Sequence, residues 1–358
     1  MQSICGRIIR VTNNLEVAPI NSNISNVSKA INQQEFLESH ADVLKIIEQT
    51  QNIILGKKDV VEMTIISLLS QGHVLIEDVP GVGKTTLASA LSKIIGLKYK
   101  RAQFTPDVMP SDITGFSIYN KTTNELEYKE GLALCNILLA DEINRTSPKT
   151  QSSLLEVMEE GTITVDGKTH SVPTPFMVIA TQNPIGFVGT HPLPEAQLDR
   201  FIMRISIGYP DTANEIKIIS DRKTENPIDR IKTIITAEEI IKAQNIVKNV
   251  HIDETLYKYI VELVAKTRNH QYITLGASPR ASLSLMRLSQ ARAFLERRDY
   301  VIPEDILAMY TPAIAHRIIL KQEAKLKKIN TEDILNEIKK LIAPQILSEN
   351  INKNAKKI

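Results

Sequence analysis

With 358 residues, 42% hydrophobic and 23% charged, the chain has the make-up of a globular protein large enough for one big or two ordinary domains. Its 43 basic and 41 acidic side chains leave a formal charge of +2, so no bulk field argues for nucleic acid or a membrane surface. Aromatic residues at 4% with no Trp argue against a base-stacking platform, and two cysteines exclude a disulfide framework or a cysteine-based zinc site.

The seven histidines are scattered, so no metal site is expected from them. The start of the chain lacks the apolar core of a signal peptide, and no apolar run of about 18 residues occurs. A cytoplasmic location without a transmembrane segment is therefore expected.

In chain order, residues 1–40 are rich in Asn, Ser and Gln and read as a flexible N-terminal extension, although Ile8 to Val17 has some strand character. Helical spacing follows from Phe36 to Gln51, through Leu37, Val43, Leu44 and Ile47. Ile53-Ile54-Leu55-Gly56 leads into a second amphipathic pattern, Val60 to Leu69, which ends at Gly72. Val74 to Ile76 reads as a short buried strand, Pro80 to Gly83 as a turn, and Lys84-Thr85-Thr86 opens a helix through Leu87, Ala88, Ala90 and Leu91.

Strand, glycine turn, Gly-Lys-Thr and helix make a phosphate-binding P-loop. The stretch Asp78-Val79-Pro80-Gly81-Val82-Gly83-Lys84-Thr85-Thr86 is thus the candidate ATP cradle. Glycines let successive N–H groups curl around phosphate, and the helix N-terminus adds a favourable partial charge. Lys84 is placed to reach the β- and γ-phosphates, and the Thr85 hydroxyl to ligate Mg²⁺. The strict pattern wants glycine where this chain has Asp78.

Beyond the P-loop helix, strands are expected at Tyr99–Phe104, Cys135–Ala140, Phe176–Ala180 and Phe201–Ile207. Ser147-Pro148 supplies the cap and first residue of a helix over Lys149–Glu160. Two polar hairpins are expected, near 116–128 and at 161–172, the second around Asp166-Gly167. Alternating strands and helices argue a parallel α/β sheet. From Asp211 onward only helical patterns are read, with Tyr209-Pro210-Asp211 and Asn226-Pro227 as hinge material. The expected organisation is an α/β P-loop core over 41–208, an all-helical lid over 212–345 and a frayed tail over 346–358.

Ile137-Leu138-Leu139-Ala140-Asp141-Glu142 is an apolar strand ending in two carboxylates. Many strands end this way at a surface. Downstream of a P-loop, however, Asp141 suits Mg²⁺ and its waters, and Glu142 suits a general base that polarises the attacking water. The Asn120-Lys121-Thr122-Thr123 stretch lacks the aspartate that reads guanine in GTPases, which favours ATP.

Several motifs together resemble the MoxR family of AAA+ ATPases. They are Ala140-Asp141-Glu142-Ile143-Asn144-Arg145, Lys149-Thr150-Gln151, Leu154-Leu155-Glu156, Thr181-Gln182-Asn183-Pro184, the run Leu193 to Phe201 (Leu-Pro-Glu-Ala-Gln-Leu-Asp-Arg-Phe), and Gly276-Ala277-Ser278-Pro279-Arg280-Ala281. The P-loop form Asp-Val-Pro-Gly-Val-Gly-Lys-Thr also occurs in that family. The resemblance implies that Asn183 is a sensor of the γ-phosphate, Arg200 an arginine finger acting in trans on a neighbouring subunit, and Arg280 a second sensor arginine. It places adenine near Ile54 and Gly56. The residues alone leave plainer readings open: a turn asparagine at 183, an Arg200–Asp199 surface pair, a solvated helix-start arginine at 280, and plain core at Ile54.

The same resemblance implies a Mg²⁺-dependent ATPase that assembles into a homo-oligomeric ring, a hexamer. The function it implies is chaperone-like remodelling or cofactor insertion, with a von Willebrand factor A-domain protein among the implied clients. A magnesium-chelatase-like ATPase subunit and a nucleic-acid motor of the same clade are the alternatives, and near-zero net charge disfavours the second. Ile185-Gly186-Phe187-Val188 departs from the acidic or amide residues usual at that place.

Overall fold

The computed structural model describes residues 32–183, 191–221, 223 and 227–342. The strand-like segment 8–17, the Ile185–Val188 loop and the tail 346–358 lie outside these residues.

The helical spacing read from Phe36 to Gln51 is helix α1, which starts slightly earlier and spans Gln33–Gln51, so the N-terminal extension ends short of residue 40. The Asn32 side chain caps it by accepting from the Gln34 N–H. Phe36 is buried because its ring meets Phe294, edge to face at 5.1 Å between centroids. That partner is far away in sequence, so the local polar bias of residues 1–40 gives no hint of it. Helix α2 (Lys58–Leu69) follows, and with α1 it packs against the helical C-terminal half.

The core then alternates. Strand β1 (Val74–Glu77) feeds helix α3 (Lys84–Ile95) and strand β2 (Tyr99–Gln103). Helix α4 (Pro110–Thr114) leads into an antiparallel hairpin, β3 (Gly115–Asn120) with β4 (Glu125–Glu130). Strand β5 (Ile137–Asp141) precedes helix α5 (Pro148–Glu160), whose N-cap Ser147 accepts from the Thr150 N–H. A second hairpin, β6 (Thr162–Val165) with β7 (Lys168–Ser171), comes before β8 (Met177–Gln182), helix α6 (Glu195–Leu198) and β9 (Met203–Ile205).

The five core strands form one parallel sheet in the order β2-β5-β8-β1-β9. β5 and β8 are apolar on both faces and buried on both, as parallel strands covered by helices must be. β1 lies between two strands that come much later in sequence, so the chain order switches there. The carboxyl ends of β1, β5 and β8 bring Glu77, Asp141 and Gln182 to one edge of the sheet, where ligands of open α/β sheets bind.

The rest is mostly helical: α7 (Thr212–Asp221), α8 (Ala237–Lys248), α9 (Glu254–Arg268), then β10 (Ile273–Leu275), α10 (Pro279–Leu295), α11 (Pro303–Ile314), β11 (Ile319–Leu320) and a helix over 331–342. The expectation of no strands after Asp211 fails in one place. β10 and β11 form a small antiparallel ladder, Ile273 opposite Leu320 and Leu275 opposite Ile319. Runs this short carry too few residues to show an alternating pattern. Among the described residues, no helix is long and apolar enough to cross a membrane.

Candidate nucleotide site

The loop after β1 turns on two left-handed glycines, Gly81 (φ +87°) and Gly83 (φ +99°), and Gly83 sits at the N-terminus of α3. A Cβ at either would meet nothing nearby. Backbone conformation, not crowding, therefore calls for glycine, and the space above the loop stays clear for a ligand. Lys84 Nζ donates to the Asp78 carbonyl at 2.7 Å, which folds the lysine back over the loop. Burial lowers the Lys84 pKa, against the pull of Asp78, Asp141 and Glu142.

Asp78 explains itself once the chain is folded. Its carboxylate accepts from the N–H groups of Ile207 and Gly208, both at 2.6 Å, from the Ser206 hydroxyl at 3.1 Å and from the Val79 N–H at 2.8 Å. Burial by itself raises the carboxyl pKa, but the four donors outweigh it and the net shift is downward. Asp78 therefore anchors the P-loop to the segment leaving β9.

Lys84, Thr85, Thr86, Asp141, Glu142 and Asn183 line one cleft of about 360 Å³, together with Pro80, Gly81 and Gly83. Asp141 is held from two sides: Thr181 Oγ1 donates to Oδ1 at 2.7 Å, and Arg101 donates to Oδ2 at 2.8 Å. The Thr181 hydroxyl also accepts from the Glu142 N–H at 2.9 Å, so one threonine orients both acidic residues. Glu142 occupies the left-handed region (φ +57°), an unusual place for a non-glycine residue and one that recurs at functional sites. Its carboxylate pairs with Arg145 at 2.7 Å.

A second cleft, about 350 Å³, adjoins the other side of the P-loop. Ile53, Ile54, Leu55 and Val82 line it from one side, and Tyr209, Pro210, Ile218, Ile219, Pro227 and Ile228 from the other. Ile54 is thus beside the P-loop. Gly56, expected to touch the same ligand, does not line the cleft. It adopts φ +71°, and a Cβ there would collide with the Asn214 amide. Its part is to let the Ile54 segment pack close to α7.

Arg200 and Arg280 are brought together, but not here. They line a third cleft of about 340 Å³ that shares no residue with the other two. Arg200 Nε lies 3.0 Å from Glu159 Oε2, and Arg280 pairs with the other oxygen of the same carboxylate. Asp199 pairs with Arg317 at 3.3 Å and not with Arg200.

Residues 73–203 match the family described as ATPase family associated with various cellular activities (AAA), and residues 265–338 match the AAA lid domain. Chaperone MoxR1 of Mycobacterium tuberculosis is 38% identical over 312 residues, 84% of this chain and 82% of that one. This chain belongs to the MoxR family of AAA+ ATPases. The protein YeaC of Bacillus subtilis is 51% identical over 294 residues, 82% of this chain and 92% of that one. A crystal structure of a protein from Cytophaga hutchinsonii superposes with a TM-score of 0.80 at 38% identity, covering 86% of this chain and 96% of that one.

In this MoxR-family chain, sequence reasoning missed Arg101 and Gln103, which line the P-loop cleft from β2. A signal was present: Arg101 and Gln103 flank Ala102 in alternation, so a polar face points the same way as Asp141 on the neighbouring strand. It also missed Thr181, read only as part of a motif, and the part that Ile218, Ile219 and Ile228 play in the second cleft beside Tyr209, Pro210 and Pro227, of which only these last three were read, as hinge material. Among the described residues no cluster of His, Cys, Asp and Glu is fit to hold a metal by itself. Thr85 and Asp141 both line the P-loop cleft, and a hydroxyl and a carboxylate are oxygen donors of the kind a Mg²⁺ ion would take.

Proposed function

We propose that the chain hydrolyses ATP with Mg²⁺ at the P-loop cleft, within a hexameric ring of its own copies, and couples the cycle to remodelling of a partner protein. The observation that carries this is the convergence of Lys84, Thr85, Asp141, Glu142 and Asn183 on one cleft. Lys84 and the loop N–H groups hold the phosphates. Thr85 and Asp141 hold the cation, which when bound supplies charge neutralisation at the β- and γ-phosphates. Glu142 takes the proton of the attacking water, and Asn183 orients that water against the γ-phosphate. Adenine sits in the apolar cleft between Ile54 and the α7 segment.

The separate placement of Arg200 and Arg280 supports a ring. Neither lines the P-loop cleft of its own chain, which supports Arg200 reaching a neighbour's nucleotide, with Arg280 beside it at the same interface. A trans arginine contributes about 10³–10⁵ in rate by neutralising transition-state charge. Partner remodelling is supported by the chaperone name of the Mycobacterium tuberculosis relative. A von Willebrand factor A-domain protein is the client class proposed.

Glu142→Gln tests this reading. It is expected to bind ATP and form rings while turnover falls by about 10²–10⁴, the usual contribution of a positioned base. Wild-type turnover would refute the assignment. Rings trapped in this state, isolated with their bound proteins, would identify the client.

A further inference from the structure

Arg317 is a buried arginine that the nucleotide chemistry above leaves unused. It ends the short turn Ala315–Arg317 after α11, and its side chain is only 2% exposed. Its guanidinium spans the residues on either side of Arg200. Nη1 lies 3.3 Å from Asp199 Oδ1, and Nη2 donates to the Phe201 carbonyl at 2.7 Å. Nη2 also donates to the Ser284 hydroxyl on α10 at 2.9 Å. Asp199 is gripped from the same helix: its Oδ2 accepts from Ser278 Oγ at 2.8 Å, and that hydroxyl also caps α10 by accepting from the Arg280 N–H.

The turn carrying Arg200 is thus pinned before and after the arginine, by groups of the helical domain. A buried ion pair adds little net stability compared with an apolar replacement of similar volume. The value of this one lies in geometry. A planar fork that reaches two acceptors and one carboxylate at once is something lysine cannot reproduce.

We propose that Arg317 is the positioning residue for Arg200: it fixes the Asp199–Phe201 turn so that Arg200 is presented to the neighbouring subunit, and it ties that presentation to α10 and Arg280. This rests on the reading of Arg200 as a finger acting in trans. Movement of the helical domain then carries the finger with it, so one subunit's lid sets the rate at the next subunit's nucleotide.

Mixed rings of the full-length chain test the proposal. Arg317→Met is expected to lower kcat by roughly 10–100-fold, since displacing a catalytic group by about 1 Å costs about 10². KM for ATP should change little, because the chain's own P-loop is untouched. Arg317→Lys should not restore kcat. Mixing Arg317→Met with Lys84→Ala subunits should restore turnover, as the Lys84→Ala copy lends a well-placed Arg200 to the intact P-loop of its neighbour.

Arg200→Ala mixed with Lys84→Ala is the companion measurement. Rescue there but not for Arg317→Met means Arg317 acts within its own subunit, and the proposal falls. Absence of rescue in both overturns the finger reading itself. Wild-type kcat for Arg317→Met overturns the positioning role alone. Should Arg317→Met not fold, Asp199→Asn keeps the volume and removes the charge that Arg317 faces; wild-type kcat for that variant overturns the proposal equally.

Discussion

Asp78→Gly is the sharpest test of how this P-loop is held. The substitution restores the glycine that the strict motif demands, so a motif-based view predicts no harm or a gain. The structure predicts damage. Asp78 does not have a positive φ, so glycine brings no conformational relief. Removing the carboxylate strips the acceptor from the Ile207 and Gly208 N–H groups, both bonded at 2.6 Å, and from Val79 N–H and Ser206 Oγ.

Leaving a buried donor unsatisfied costs about 1–3 kcal/mol. Glycine adds about 0.5–1 kcal/mol of backbone entropy in the unfolded state. Two orphaned backbone donors and the glycine together give a loss of at least about 2.5 kcal/mol. At roughly 2–4 °C per kcal/mol, the midpoint of thermal unfolding should fall by at least ~5 °C. ADP affinity should fall as well, because Ser206, Ile207 and Gly208 lead directly into Tyr209 and Pro210 of the apolar cleft. Calorimetry with and without ADP reads both effects. An unchanged midpoint together with unchanged ADP affinity would show that the carboxylate network is not what fixes the loop.

Lys84→Ala should abolish turnover and weaken ATP binding, read by a phosphate-release assay and fluorescent-nucleotide titration; unchanged turnover would refute the P-loop assignment. Arg101→Met frees Asp141 Oδ2 from its 2.8 Å partner and is expected to shift the Mg²⁺ concentration for half-maximal turnover, whereas an identical Mg²⁺ dependence would show Arg101 to be a bystander. His73 gives a pH test. Complete burial lowers its pKa to about 4, and its two ring nitrogens meet the Met158 carbonyl and the Val178 N–H. The unfolded chain therefore binds the extra proton first as pH falls. The neutral form's stabilisation is whole above about pH 6.5 and lost towards pH 4, up to about 3 kcal/mol. Denaturant unfolding at pH 7 and pH 5 should show a smaller loss for His73→Gln than for the parent chain; equal losses would dismiss His73 as the source.

The sequence by itself determined the chemistry-bearing strand ends. Val74–Ile76 and Ile137–Ala140 are apolar runs that must be buried, and the polar residues that end them must emerge at the sheet edge. Gly81, Gly83 and Lys84-Thr85 are local in sequence, so a local pattern suffices to read the P-loop. Tertiary structure decided everything that depends on partners far apart in the chain. It turned Asp78 from a missing glycine into an anchor, because its four donors include three that lie beyond β9. It extended the first helix back to Gln33, because Phe36 has Phe294 to rest on. It gave Gly56 a packing role against Asn214 that its sequence neighbours do not reveal. It grouped Arg200 with Arg280 and Arg317, because the turn after α6, the start of α10 and the end of α11 meet only when the lid folds back on the core. Periodicity and turn chemistry act over a few residues; hydrogen bonds and ion pairs between distant segments carry no such periodic trace.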